Sequence, residues 1–141
     1  MGGSSATLAL VTEPPPAEPK DRLDALLDEL RAFVAERDWQ QFHDPKNLSM
    51  AVASEAGELV ALFRWVRGDE SDAFAKSPEG RGRVSAEVAD VAVALLLLCD
   101  RTGIDLVKAV RDKLEINRRN YPVEASRGRA DRPKRERNPS E

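Results

Sequence analysis

Two pairs of acidic residues lie inside apolar helical stripes, and this placement constrains the fold more than any other feature of the chain. The pairs are Glu55-x-x-Glu58 and Glu87-x-x-Asp90. At about 100° per residue, both pairs point in the direction in which the leucines of the same segments point. A buried carboxylate is very unfavourable unless it pairs with a cation, is neutralised or binds a metal. The two segments are therefore predicted to be core-facing helices whose acids need a partner.

Two kinds of partner would satisfy these acids. One is a Lys or Arg side chain from a neighbouring helix. The other is a metal ion, and four oxygen donors with no Cys or His nearby favour Mg²⁺, with Mn²⁺ as a substitute, over zinc. The metal is favoured because the same spacing recurs at the same helical phase on two helices. We therefore predict a metal site formed by Glu55, Glu58, Glu87 and Asp90.

The composition divides the 141 residues into one domain and two tails. Residues 1–20, with three consecutive prolines, are predicted to be a disordered leader, and residues 123–141 a disordered charged tail. The domain is then 21–122. A net charge of −3 argues against a general nucleic-acid binder. The single cysteine, Cys99, suits a reducing, cytoplasmic location and is expected to be a buried, inert thiol. No apolar run reaches the roughly 18 residues of a membrane span.

The apolar periodicity predicts an all-α domain without a convincing strand. Four helices are expected, at 22–37, 46–66, from the Ser77-Pro78 cap to Gly103, and from Asp105 to 120; residues 67–77 are expected to be a polar loop. Two glycines weaken the start of the third helix, so its regular part is expected nearer Arg83. The same helix is apolar nearly all round from 88 to 98, and such a helix must be covered on every side. We expect a homo-oligomer to complete the bundle, the alternative being a monomer core that the pattern misrepresents.

Several scarce side chains are candidate nucleotide contacts. A flat base could stack on Trp39 or Trp65, because stacking of bases on aromatic rings tolerates any base. His43, the only histidine, lies near Trp39 in the connection before the second helix. Lys113, Asn117 and Tyr121 follow an i, i+4, i+8 spacing that suits phosphate and sugar contacts. Structural alternatives remain for each, with Trp65 as an ordinary core residue and Lys113 as the counter-ion of a carboxylate.

With these residues in place, the chain resembles the all-α nucleoside triphosphate pyrophosphohydrolases of the MazG-like superfamily, and within it the dCTP pyrophosphatases. The resemblance spans roughly residues 23–123. It rests on AERDWQQFHDPKNL at 35–48, SEAGELVALFRW at 54–65, EVAD at 87–90 and NRRNYP at 117–122. It implies a four-helix bundle that assembles as a dimer or a homotetramer. The expected reaction is Mg²⁺-dependent hydrolysis of dCTP or 5-modified dCTP to the monophosphate and pyrophosphate, a sanitation of the nucleotide pool.

The resemblance also implies roles for individual residues. Glu55, Glu58, Glu87 and Asp90 would bind Mg²⁺, and Glu55 or Glu58 would orient or deprotonate the attacking water. The expected base-pocket residues are Trp39, His43 and Trp65, and the expected further nucleotide contacts are Lys113, Asn117 and Tyr121. One departure is Ala94, where the dCTP-specific members carry a tyrosine four residues after the motif aspartate.

Three other functions were weighed against this one. The Ala94 departure leaves open a broader pyrophosphohydrolase that also accepts dUTP, dTTP or damaged nucleotides. A rival from another class is a non-catalytic helical oligomerisation module whose acids pair with arginines. A ferritin-like di-metal bundle is set aside, because that family uses Glu-x-x-His pairs and the one histidine here lies off the helices. Neither a membrane nor a stable nucleic-acid partner is expected.

Overall fold

A computed structural model describes residues 22–130, and this part of the chain is helical, with no strand. Its elements are α1 (Arg22–Ala35), a 3₁₀ turn (Trp39–Phe42), α2 (Pro45–Phe63), α3 (Ser71–Lys76), α4 (Pro78–Thr102), α5 (Leu106–Asn120) and α6 (Val123–Ser126). The all-α prediction is therefore confirmed. The expected leader and residues 131–141 of the expected charged tail lie outside the described residues. Within the expected tail, Val123–Ser126 forms the short helix α6.

Helix α4 is the centre of the fold. The most extensive packing is between α2 and α4, while α1 and α3 each pack on α4 as well. The core is small and consists of Val34, Leu48, Ala94, Leu96 and Cys99. This arrangement sets the two acid-bearing helices side by side, because α2 carries one pair and α4 carries the other.

Three N-caps hold helix starts in place, and those at Ser77 and Asp105 were expected from the sequence. The side chains of Asp44, Ser77 and Asp105 each accept a hydrogen bond from a backbone N–H of the first turn that follows. Gly103 ends α4 in the left-handed conformation at φ 68°, as a glycine after a helix commonly does. Pro78 is the first residue of α4, so the helix is regular from there and the expected start near Arg83 is wrong. The reason is the Ser77 cap, whose Oγ accepts from the Gly80 N–H at 3.0 Å.

The polar loop expected at 67–77 is also wrong in part, because Ser71–Lys76 forms α3. Phe74 of this helix packs edge-to-face on Phe63 of α2, with ring centroids 5.5 Å apart. This contact between two helices stabilises α3, which is too short to persist alone. Apolar periodicity within one segment does not reveal a contact of this kind. Helices α1 and α2 end two and three residues earlier than expected, at Ala35 and Phe63.

Large apolar side chains remain exposed on α4 and α5. Val88 of α4 is 49% exposed, and Val110 and Leu114 of α5 are 50% and 47% exposed. Helix α5 makes at most marginal contact with the other described helices, although its apolar residues follow a helical stripe. A single chain therefore leaves uncovered the faces that the sequence predicted to be covered. Among the described helices, none is long and apolar enough to cross a membrane.

Candidate metal and nucleotide site

Three carboxylates gather where α2 and α4 face one another. Glu55, Glu58 and Glu87 each offer an oxygen, and these oxygens all lie within 4.8 Å of one another. Glu55 and Glu58 are one helical turn apart on α2, and Glu87 lies opposite them on α4. The i, i+3 spacing thus presents two acids from one helix, and the packing of α2 on α4 supplies the third.

Asp90 lies beside this carboxylate cluster, which we define as Glu55, Glu58 and Glu87. It lines the same cavity as Glu55. Partial burial raises the pKa of Glu55 first, and the negative charges of Glu58, Asp90 and Glu87 raise it further. The four acids therefore repel one another, and a bound cation would relieve that repulsion.

The acids are less buried than their helical phase predicts. Glu55 and Glu87 are half-buried, whereas Glu58 and Asp90 are exposed. The helical phase placed all four acids on the apolar faces of their helices and so predicted that both pairs are buried. In the single chain this prediction is wrong. The physical reason is that α2 and α4 bury only the strip where they touch, and the second member of each pair lies at the edge of that strip.

The chemistry of the donors fits a divalent cation. Within residues 22–130, no Lys or Arg forms an ion pair with any of the four acids. The arginine-paired alternative therefore has no support from the described part of one chain. Clustered carboxylate oxygens without nitrogen or sulfur donors are the ligands that Mg²⁺ and Mn²⁺ prefer. The arrangement is thus able to hold a hard divalent ion.

A cavity of about 470 Å³ opens beside the carboxylate cluster. We call it the main pocket. Its acidic end contains Glu55 and Asp90, and its remaining lining is mostly apolar, consisting of Leu30, Phe33, Val34, Trp39, His43, Leu48, Ala51, Val93, Ala94 and Leu97. An apolar cavity with a few polar groups at one end is typical of a small-molecule site. Four residues that the sequence predicted for the site line this pocket, namely Glu55, Asp90, Trp39 and His43.

The 3₁₀ turn between α1 and α2 places Trp39 and His43 in the main pocket. The turn begins after Asp38, which takes the left-handed conformation at φ 53°, a region that aspartate tolerates better than most residues. Gln41 Nε2 donates to the Asp38 carbonyl at 2.9 Å. Trp39 packs edge-to-face on Phe33, with centroids 5.8 Å apart. A short polar turn thus holds an aromatic ring at the pocket wall.

Four other predicted contacts lie outside the main pocket in the single chain. Trp65 is 86% exposed, because α2 ends at Phe63 and the helical phase counted from Glu58 no longer applies beyond it. Lys113, Asn117 and Tyr121 lie on α5, and none of them lines a cavity next to the carboxylates. The predicted nucleotide contacts of these four residues are therefore not formed within the single chain.

A second, smaller cavity, which no sequence pattern indicated, adjoins the main pocket. This side pocket, of about 140 Å³, shares Val34, His43 and Leu97 with the main pocket and adds Arg31, Gln40, Asp100 and Arg101. Arg31 Nε donates to Asp100 Oδ1 at 2.9 Å. That hydrogen bond raises the pKa of the Arg31 guanidinium. Arg31 and Asp100 are 69 residues apart in the chain, so no local pattern could have linked them.

The chain is similar to proteins of known activity over most of its length. No family model matches it. The chain is 38% identical to dCTP pyrophosphatase 1 of Bos taurus, over 92% of this chain and 77% of that protein. It is 45% identical to dCTP pyrophosphatase 1 of Rattus norvegicus, over 70% of this chain and 58% of that protein. The chain therefore spans less than two thirds of the rat relative's length.

A solved structure agrees with these relatives. The crystal structure of a pyrophosphatase from Archaeoglobus fulgidus superposes with a TM-score of 0.67 and 40% sequence identity, covering 71% of this chain and 92% of that one. Sequence and fold thus identify the same group of proteins. The chain belongs to the dCTP pyrophosphatase family of all-α, MazG-like nucleoside triphosphate pyrophosphohydrolases.

Proposed function

We propose that this protein hydrolyses deoxynucleoside triphosphates, dCTP and 5-modified dCTP foremost, to the monophosphate and pyrophosphate. The observation that carries the proposal is the carboxylate cluster at the acidic end of an apolar pocket. The apolar part suits a base and the acidic end suits a cation-bound triphosphate. The names of the relatives, dCTP pyrophosphatase 1, support the same reaction and the same base.

Glu55, Glu58, Glu87 and Asp90 are proposed to hold Mg²⁺. When bound there, the ion would neutralise charge on the phosphate oxygens. The chain's own part in the reaction is to position a water molecule and accept its proton, and we assign this to Glu58 or Glu55. The water oxygen forms a bond to the α-phosphorus while the bond to the oxygen bridging the α and β phosphorus atoms breaks. Pyrophosphate departs, and the carboxylate receives the proton.

The pKa of Glu55 is raised in the metal-free site, because desolvation and the surrounding negative charge oppose its ionisation. A cation bound at the cluster would offset both effects and favour the ionised carboxylate that the reaction needs. The exposed Glu58 lies one turn away and completes the same cluster. We therefore assign the proton to one of these two carboxylates.

The base is proposed to lie against Trp39 in the main pocket, with His43 near its edge. Both side chains line that pocket. Ala94, which lies in the wall, leaves space where a tyrosine would fill it. This space favours bases with an added substituent, and it also supports a broader specificity as the second candidate.

A second copy of the chain is proposed to complete the site, as part of a dimer or a homotetramer. The exposed apolar stripe of α5, with Val110 and Leu114, lacks a covering element within residues 22–130. The same helix carries Lys113, Asn117 and Tyr121, which do not reach the carboxylate cluster of their own chain. A second copy that covers α5 would account for both observations.

The test is a product assay with the purified protein. The four dNTPs, dUTP and 5-methyl-dCTP are each incubated with Mg²⁺ and with EDTA, and monophosphate and pyrophosphate are quantified. We expect both products, only with Mg²⁺, and fastest from the cytosine substrates. Equal rates for all bases would leave the broader pyrophosphohydrolase. The non-catalytic oligomerisation module would be favoured if no triphosphate were consumed.

Mixing two inactive variants tests the completion of the site by a second copy. Glu87→Gln removes a cluster carboxylate and Lys113→Ala removes a residue of α5. If α5 serves the site of another chain, a mixed oligomer contains some sites with both residues intact, and activity returns on mixing. Leu114→Glu serves as the assembly control and should yield monomers by light scattering. Activity that stays absent in verified mixed oligomers would contradict the arrangement.

A further inference from the structure

The side pocket gives the main pocket a charged end, far from the carboxylate cluster. The two cavities share Val34, His43 and Leu97, so a base that fills the main pocket would direct one edge toward the side pocket. Apart from the shared His43, the polar groups there are Arg31, Gln40, Asp100 and Arg101. Hydrogen-bonding groups at the far end of an apolar cavity are in a position to read the edge of a base.

The distance along α4 fits this arrangement. Asp100 follows Asp90 by ten residues, which is about 15 Å at the rise of an α-helix. Leu97, which both cavities share, lies between them and faces the pockets. A span of this size suits a nucleotide whose phosphates lie at Asp90 and whose base extends toward Asp100.

Asp100 keeps one carboxylate oxygen available. The Arg31 Nε and one terminal nitrogen both donate to Oδ1, while the other terminal nitrogen donates to Asp28 at 2.9 Å. No described residue donates to Asp100 Oδ2. Arg31 therefore fixes the orientation of Asp100 and leaves an oxygen that can accept one more hydrogen bond. The Asp100 side chain is 29% exposed, so it is partly shielded from water.

We propose that Asp100, oriented by Arg31, is a specificity-determining residue that accepts a hydrogen bond from the exocyclic amino group of the base. This inference rests on the proposed function and names the part of the substrate that the side pocket reads. An ionised carboxylate only accepts hydrogen bonds. It therefore favours the 4-amino group of cytosine and disfavours the 4-carbonyl of uracil, which would place two acceptors against each other.

The test compares dCTP with dUTP, whose bases differ at this edge. The ratio of kcat/KM for the two substrates is measured for the wild type, Asp100→Asn and Arg31→Ala. The amide of Asp100→Asn can accept or donate, so the preference for dCTP should fall at least about tenfold, the scale of one hydrogen bond to a charged group. Arg31→Ala keeps the carboxylate without its anchor and should reduce the preference by a smaller factor.

Asp69→Asn is the matched control. It makes the same change in another Asp–Arg pair, at 3.0 Å from Arg67, outside both pockets, and should leave the substrate ratio unchanged. If the Arg31–Asp100 pair is purely structural, its substitutions will lower the melting temperature and reduce kcat/KM for both substrates by the same factor. That result would overturn the inference. A wild type that consumes dUTP as readily as dCTP also overturns it, while hydrolysis of deoxynucleoside triphosphates stands in its broader form. If the wild type consumes no triphosphate, both fail together.

Discussion

Gly80 is the most tightly enclosed glycine in the described part of the chain, and its replacement by alanine gives a sharp test of the fold. A Cβ atom built there would lie 2.0 Å from the Phe74 carbonyl oxygen and 2.9 Å from the Ser77 Oγ. The same oxygen accepts from the Ser77 hydroxyl at 2.8 Å. Backbone and cap must therefore move together, because a contact of 2.0 Å cannot be relieved by a side-chain rotation.

The expected cost follows from those contacts. Overpacking a well-packed site costs about 1–3 kcal/mol, and loss of an N-cap costs about 0.5–2 kcal/mol. We expect Gly80→Ala to lower the free energy of unfolding by roughly 2–4 kcal/mol. At roughly 4–8 °C per kcal/mol, the melting temperature should fall by at least about 8 °C. Thermal unfolding followed by circular dichroism, with Mg²⁺ absent, measures it.

Gly82 supplies the control two residues later. Nothing lies within 4 Å of a Cβ atom built there, and glycine inside a helix costs about 0.5–1 kcal/mol relative to alanine. Gly82→Ala should therefore raise the melting temperature by a few degrees, opposite in sign to Gly80→Ala. If both substitutions shift the melting temperature equally, or if Gly80→Ala is neutral, the close packing of α3 on α4 is wrong.

Two further predictions concern the carboxylates. Mg²⁺ at 100 times its dissociation constant should stabilise the protein by about 2.7 kcal/mol, and EDTA should reverse this stabilisation. Glu87→Gln should abolish the stabilisation by Mg²⁺ while retaining the helical circular dichroism spectrum. An undiminished Mg²⁺ shift in that variant would refute the ligand set. The pKa of Glu55 is higher in the folded than in the unfolded state. Protonated Glu55 therefore adds to the free energy of unfolding at low pH, and this contribution is lost as pH rises through and above the ordinary carboxyl range. The metal-free Glu55→Gln variant should therefore gain melting temperature relative to the wild type as pH rises, and a difference that is flat with pH would contradict the raised pKa.

Local sequence determined the helices and the residues of the carboxylate cluster. Apolar periodicity and the caps at Asp44, Ser77 and Asp105 act within a few residues, so the helix starts could be predicted closely. The two acid pairs stood out for the same reason, because an i, i+3 spacing fixes a common helical face. The sequence therefore identified which side chains meet once α2 packs on α4.

Tertiary structure decided what no local pattern carries. The packing of Phe74 on Phe63 stabilises α3, and Trp65 lies outside the main pocket, beyond the end of α2. The pairing of Arg31 with Asp100 brings together α1 and α4 across 69 residues. Local sequence patterns determine the helical conformation of each segment. Cavities, exposure and long-range ion pairs depend instead on how whole helices pack against one another.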